Sequence, residues 1–145
     1  MEAIARIGTL PRTRLVRTSS LYETEPLGDA ATWFVNAVVE IDTTLAATAL
    51  LDELLAIERA MGRARVAGQR WASRSIDLDL LLYEAAVLDE PSLTVPHPEL
   101  HRRRFVLVPL AELAPGVRHP VLGRTIAALL ASVDDPKRVT RLPPV

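Results

Sequence analysis

An α+β fold built on a split β-α-β unit is predicted by three features of the sequence. Residues 14–23 and 33–42 alternate more and less apolar side chains at the period of a strand. Residues 46–61 repeat apolar residues at helical spacing. A further alternating stretch at 75–83 follows, and the remainder is mostly helical by pattern.

The elements follow in order. Residues 2–9 form a short helix with Ile4 and Ile7 on one face, ended by Pro11. In the strand at 14–23, Val16, Thr18, Ser20 and Tyr22 share a side. Pro26 and Gly28 make 24–29 a loop. In the strand at 33–42, Val35, Ala37, Val39 and Ile41 share one face, and Phe34 and Asn36 the other. The long helix carries Leu50, Leu54, Ile57 and Met61 as one stripe, with Gly62 as its C-terminal stop. Residues 63–73 are a polar, Arg-rich loop before the strand at 75–83. A Pro-punctuated connection, "DEPSLTVPHPEL", leads to helices at 102–113 and 123–132 and an edge strand at 137–142. A complete unit needs one more strand before the first helix. The expected architecture is therefore a ferredoxin-like split β-α-β sandwich with extra C-terminal helices and its first strand missing, as a single domain over 1–145.

Composition narrows the function. A net charge of −1 gives no general attraction to nucleic acid or to a membrane surface. Without cysteine there are no disulfides or thiolate metal sites, which fits a cytoplasmic protein. No apolar run approaches the ~20 residues of a membrane span. Of 17 basic residues only Lys137 is lysine. A GC-rich genome accounts for such a bias, and so does phosphate binding, where the planar guanidinium fork is useful.

The stretch "RSIDLDLLLY" places Asp77 and Asp79 two apart in an apolar strand. Such residues lie on one face, ~6.5–7 Å apart at Cα, and adjacent carboxylates repel unless a positive charge joins them. A hard divalent cation such as Mg²⁺ meets that need. A solvent-facing side of a half-exposed sheet explains the pair equally simply. Arg63, Arg65, Arg70 and Arg74 precede the pair, and Arg102, Arg103 and Arg104 follow His97. Metal-holding carboxylates and phosphate-holding arginines are the two parts of a phosphoryl-transfer site. The alternative for the arginines is solvated loop charge. Trp71 either covers a bound base or anchors its loop; His97 either donates to a phosphate or is structural; Glu58 is either a ligand-side group or helix surface. Asn36 can read a heterocycle edge and Phe34 can stack on its plane.

The segments "SSLYETEPLG", "FVNAVVEI", "IERAMGRAR", "RWASRSIDLDLLLY", "LTVPHPEL" and "RRRFVLVPLAELAP" occur in that order. Together they resemble the 6-hydroxymethyl-7,8-dihydropterin pyrophosphokinases over roughly residues 14–120. The resemblance implies transfer of pyrophosphate from ATP to the pterin hydroxymethyl group, with release of AMP, in folate biosynthesis. It implies two Mg²⁺ ions on Asp77 and Asp79, and phosphates steadied by Arg63, Arg65 and Arg74. Arg65 and Trp71 belong to a loop that closes over the substrates. Glu58, His97 and Arg103 match ATP-side positions. Thr24, Pro26 and Leu27 match a backbone-lined pterin pocket, with Asn36 reading the pterin edge and Phe34 and Phe105 stacking on the ring. Phe34 stands where many members have Tyr.

Members of that family open with a strand ending in G-S-N-L-G-D, which this sequence lacks. The favoured expectation is a start at an internal Met of a longer protein; the competing one is a degenerate form with impaired folding or activity. Loss of the strand leaves two strand edges unpaired, so the expected monomer competes with self-association through those edges. Two other classes stay open. One is a regulatory or inactive module that binds nucleotide or pterin without turnover. The other is an RNA-binding sheet, which needs exposed aromatics on central strands, whereas the six aromatic residues do not fall in that pattern.

Overall fold

The computed structural model describes residues 2–25, 34–66 and 76–144. In chain order the elements are α1 (Glu2–Gly8), β1 (Thr13–Thr18), β2 (Tyr22–Thr24), β3 (Phe34–Asn36), β4 (Val39–Thr43) and α2 (Ala47–Val66). They continue with β5 (Leu88–Glu90), β6 (Leu93–Val95), a 3-10 turn (Leu100–Arg102), α3 (Arg104–Leu113), α4 (Ile126–Ser132) and β7 (Val139–Arg141). Strands and helices mix in an α+β arrangement, as expected.

Both long predicted strands break, at the same place in space. The 14–23 stretch divides into β1 and β2 around Ser19, and the 33–42 stretch into β3 and β4 around Val38. Buried Ser19 joins the two breaks. Its backbone N–H donates to Val38 O at 2.8 Å, and its Oγ accepts from Val38 N at 2.9 Å. Beyond this corner the partners change. β1 pairs antiparallel with β4, and β2 lies between β3 and β7 in a separate antiparallel sheet. The corner resets the faces: Val39 and Ile41 pack toward α2, whereas Val35 is 47% exposed and Val16 is 41% exposed. Neither valine lies on the inner face that uninterrupted alternation assigns it. In β1 a register shift between Leu15 and Arg17 adds to this.

The helix stripe is as expected. Leu50, Leu54 and Ile57 are buried, Met61 packs beside them, and Ile7, Leu45, Val39, Ile41, Leu78 and Leu80 complete this core. Gly62 does not stop the helix, which continues to Val66, so the predicted loop at 63–73 begins as helix. A side chain at Gly62 would meet open space, and its φ is not in the left-handed region that ends helices.

Residues 76–80 keep the predicted alternation without forming a strand, and it ends at Leu81, Leu82 and Tyr83, which are all half-buried. Ile76, Leu78 and Leu80 are half-buried, and Asp77 and Asp79 are exposed. A strand is defined by its ladder, and among the described residues no ladder includes this segment. A groove of about 170 Å³, lined in part by Ile41, Thr43, Leu50, Leu80 and Leu82, runs between it and β4. The connection after it is also more ordered than its prolines suggest: β5 and β6 form a hairpin closed by Pro91 and Ser92, with Leu93 and Val95 buried. Pro favours the first central position of a tight turn.

The C-terminal helices form a second core from Leu100, Leu107, Leu110, Ile126 and Leu129. The helix expected at 102–113 is the 3-10 turn followed by α3, and the one expected at 123–132 is α4, capped by Thr125 Oγ1 accepting from Ala128 N at 3.1 Å. β7 is the edge strand expected at 137–142. α3 packs over β2, β3 and β7.

Candidate active site

Of the predicted pterin-side residues, Thr24, Phe34 and Asn36 meet on the β2–β3 ladder, and Phe105 lies on α3. Tyr22 is the partner of Asn36, and Thr24 of Phe34. Side chains two apart in one strand share a face, so Thr24 and Asn36 are diagonal neighbours. Asn36 Nδ2 donates to Thr24 Oγ1 at 2.8 Å. Thr24 is 3% exposed, while Phe34 and Asn36 are half-buried. The bond orients the Asn36 amide and uses one N–H of a group that also carries a second N–H and an acceptor oxygen. Pro26 and Leu27 lie outside the described residues.

The acidic pair is set from below by α2. Asp77 and Asp79 are exposed, and among the described residues neither makes a hydrogen bond or an ion pair. Between them, the Leu78 backbone N–H donates to Glu58 Oε2 at 2.5 Å. Glu58, predicted on the ATP side, thus holds the backbone from which both aspartates project. Exposed carboxylate oxygens suit a hard cation that shares its remaining positions with phosphate or water. Among the described residues no three His, Asp or Glu side chains cluster as a complete cage.

His97 is tied to the same segment, because its backbone N–H donates to Leu81 O at 2.9 Å. Its Nδ1 accepts from Glu99 N at 3.1 Å, which places the proton of the neutral ring on Nε2 and leaves that atom a donor. Arg103 precedes α3 and stands over the Phe105 ring, 5.8 Å from its centroid, with Nη2 3.7 Å from Glu99 Oε1. Glu58, Asp77, Asp79 and His97 are therefore joined through residues 76–83, and Arg103 and Phe105 through the turn beginning at Glu99. Trp71, Arg70 and Arg74 lie outside the described residues, as do the side chains of Arg63 and Arg65.

Two groups were not singled out by the sequence. Glu112 of α3 accepts from Ser20 and from the buried Tyr22 hydroxyl. Burial works to raise its pKa, but the bonds from Tyr22 and Ser20 and the nearby Arg141 outweigh it and hold the carboxyl below its ordinary value. Burial, then Glu112, raises the Tyr22 phenol. Buried tyrosines need a hydroxyl partner, and Tyr22 and Glu112 fall in the segments "SSLYETEPLG" and "RRRFVLVPLAELAP", but neither signal names the pair. His119 is 5% exposed, and its Nδ1 accepts from Val121 N at 3.2 Å and Leu122 N at 3.1 Å. Burial and the neighbouring His101 lower its pKa.

The sequence matches the family model for 7,8-dihydro-6-hydroxymethylpterin-pyrophosphokinase over residues 1–115. Three curated relatives are each named 2-amino-4-hydroxy-6-hydroxymethyldihydropteridine pyrophosphokinase. The Pseudomonas aeruginosa protein is 51% identical over 124 residues, 85% of this chain and 75% of its own length. The Methylorubrum extorquens protein is 43% identical over 133 residues, 91% of this chain and 82% of its own. The Haemophilus influenzae protein is 46% identical over 113 residues, 77% and 69% respectively. With the acidic pair, the Thr24–Asn36 bond and His97 placed as described, the chain belongs to the 7,8-dihydro-6-hydroxymethylpterin-pyrophosphokinase family.

Proposed function

We propose that this chain transfers pyrophosphate from ATP to the hydroxymethyl group of 6-hydroxymethyl-7,8-dihydropterin, releasing AMP, as a step of folate biosynthesis. The observation that carries the reading is the exposed Asp77–Asp79 pair, fixed on α2 through the Leu78–Glu58 hydrogen bond. In the reaction the hydroxymethyl oxygen bonds to the β-phosphorus of ATP. The bond from that phosphorus to the oxygen bridging to the α-phosphorus breaks, and AMP departs with that oxygen. The hydroxyl proton passes to a base or to solvent.

Asp77 and Asp79 would hold Mg²⁺, two ions in all, which supplies neutralisation of phosphate charge. Glu58 keeps the two carboxylates in register. His97 Nε2 and Arg103 donate to the triphosphate, together with Arg63, Arg65 and Arg74. Asn36, oriented by Thr24, reads the pterin edge, and Phe34 and Phe105 stack on its ring, with Pro26 and Leu27 lining the pocket. Trp71 and Arg65 belong to a loop that closes over both substrates and excludes water. Positioning and charge stabilisation supply most of the rate. The acting unit is one domain, working as a monomer in the cytoplasm. Among the described residues no helix is long and apolar enough to cross a membrane.

The test is AMP release from ATP and Mg²⁺, with and without the pterin. Pterin-dependent AMP is the expected result. Binding of both substrates without AMP would replace the enzyme with a non-catalytic binding module, and no binding of either would overturn the reading.

A further inference from the structure

Glu112 lies in the segment "RRRFVLVPLAELAP" but has no part in the proposed reaction, yet it is heavily bonded. Its Oε1 accepts from Ser20 N at 3.0 Å and from the Tyr22 hydroxyl at 2.6 Å. Its Oε2 accepts from the Ser20 hydroxyl at 3.0 Å and from Ser20 N at 3.1 Å, and Arg141 Nη2 stands 3.8 Å away. Ser20 and Tyr22 lead into β2, and Arg141 belongs to β7. One helix carboxylate thus clamps the middle strand of the sheet and its edge. Charge-assisted bonds of this kind are shorter and stronger than neutral ones.

The clamp lies next to the pterin-side pair. Tyr22 is the ladder partner of both Asn36 and Arg141, and Thr24, two residues on, accepts the Asn36 amide. On α3, Phe105 and Glu112 are seven residues apart, about two helical turns, and so share a face. That helix packs on β2 and β3.

We infer that Glu112 is a positioning residue for pterin recognition: it holds Tyr22, and through β2 it sets the Thr24–Asn36 pair against Phe105. The identity of the ligand rests on the function proposed above. The groups facing the carboxylate are Tyr22, Ser20 and Arg141. The directions of the Glu112 and Tyr22 pKa values keep the first ionised and the second protonated near neutrality.

The experiment compares Glu112→Ala, Glu112→Gln and Tyr22→Phe with the parent chain. AMP release is titrated separately in pterin and in ATP, and backbone amide exchange is followed in both sheets. Loss of a charge-assisted bond predicts a rise in the pterin KM of roughly tenfold for Glu112→Ala, with the ATP KM within about twofold. Tyr22→Phe shifts the pterin KM less, and Glu112→Gln recovers part because its amide oxygen still accepts. Amide exchange accelerates in β2 while the β1–β4 ladder and α2 stay protected. An unchanged pterin KM with unchanged protection in β2 overturns the inference. An equal rise in both KM values with protection lost throughout α2 also overturns it, since Glu112 is then a general stabiliser. If the parent releases no pterin-dependent AMP, the proposed function fails by itself. Amide exchange and the Asn36 side-chain NMR signals in the three variants then decide the positioning role.

Discussion

Glu58 Oε2 accepts the Leu78 backbone N–H at 2.5 Å, so the residue between Asp77 and Asp79 is fastened to the long helix. Replacing Glu58 with Ala leaves a half-buried N–H without an acceptor, at a cost of about 1–3 kcal/mol. Glu58→Gln keeps an acceptor and should lose less. Denaturant unfolding is expected to rank the variants parent, Gln, Ala, and AMP release to follow the same order. An Ala variant as stable and as active as the parent would show that the bond does not set the carboxylates.

Asp77→Asn and Asp79→Asn separate chemistry from folding. Both side chains are exposed, with no partner among the described residues. Stability should therefore change by less than about 0.5 kcal/mol. Turnover should fall by roughly 10²–10³ or more, the scale on which preorganised charge stabilisation operates. Thermal melts and AMP assays on the same samples check both halves, and near-parental turnover in either variant would remove the pair from the site.

Truncations in the two cores should be severe and local in origin. Leu50 is 1% exposed in the core under α2, and Leu107 is 0% exposed in the C-terminal one. Each Leu→Ala change should cost about 2–5 kcal/mol by lost burial and cavity formation. Leu55→Ala, at a helix position 37% exposed, is the control and should cost far less. Equal losses for Leu55 and Leu50 would contradict the assigned helix face.

His119 makes stability sensitive to mild acid. Its folded pKa lies below the ordinary 6.5, because burial and then His101 disfavour the charged ring. The unfolded chain therefore takes up the proton first. The contribution of neutral His119 is complete above about 6.5 and is lost as pH falls through the folded value. His119→Asn keeps an acceptor for Val121 and Leu122 without the titration, and should flatten the fall in Tm between pH 7 and pH 5. Glu112, whose carboxyl is held below its ordinary 4.5, loses its contribution only in stronger acid. An unchanged slope in His119→Asn would assign the sensitivity elsewhere.

Much of this was legible from local pattern. The α2 stripe, the alternation around Asp77 and Asp79, the Phe34–Asn36 face and the late helices all follow from periodicity in neighbouring residues. The family itself was legible from its motifs. The end of α2 was not, because a glycine terminates a helix only where the backbone turns left-handed, and Gly62 does not. The β5–β6 hairpin was hidden behind prolines that read as a plain connection.

The sequence by itself determined the family and the apolar stripe of the long helix, since both depend on residue type and on spacing within short segments. Tertiary structure decided where strands 14–23 and 33–42 break, which partner each half takes, and that Glu112 reaches Ser20 and Tyr22 some ninety residues away. Those outcomes depend on hydrogen-bond partners brought together only when the chain closes. A buried hydroxyl, carboxylate or strand edge is satisfied by whatever donor or acceptor the fold delivers to it, and no local repeat encodes that meeting.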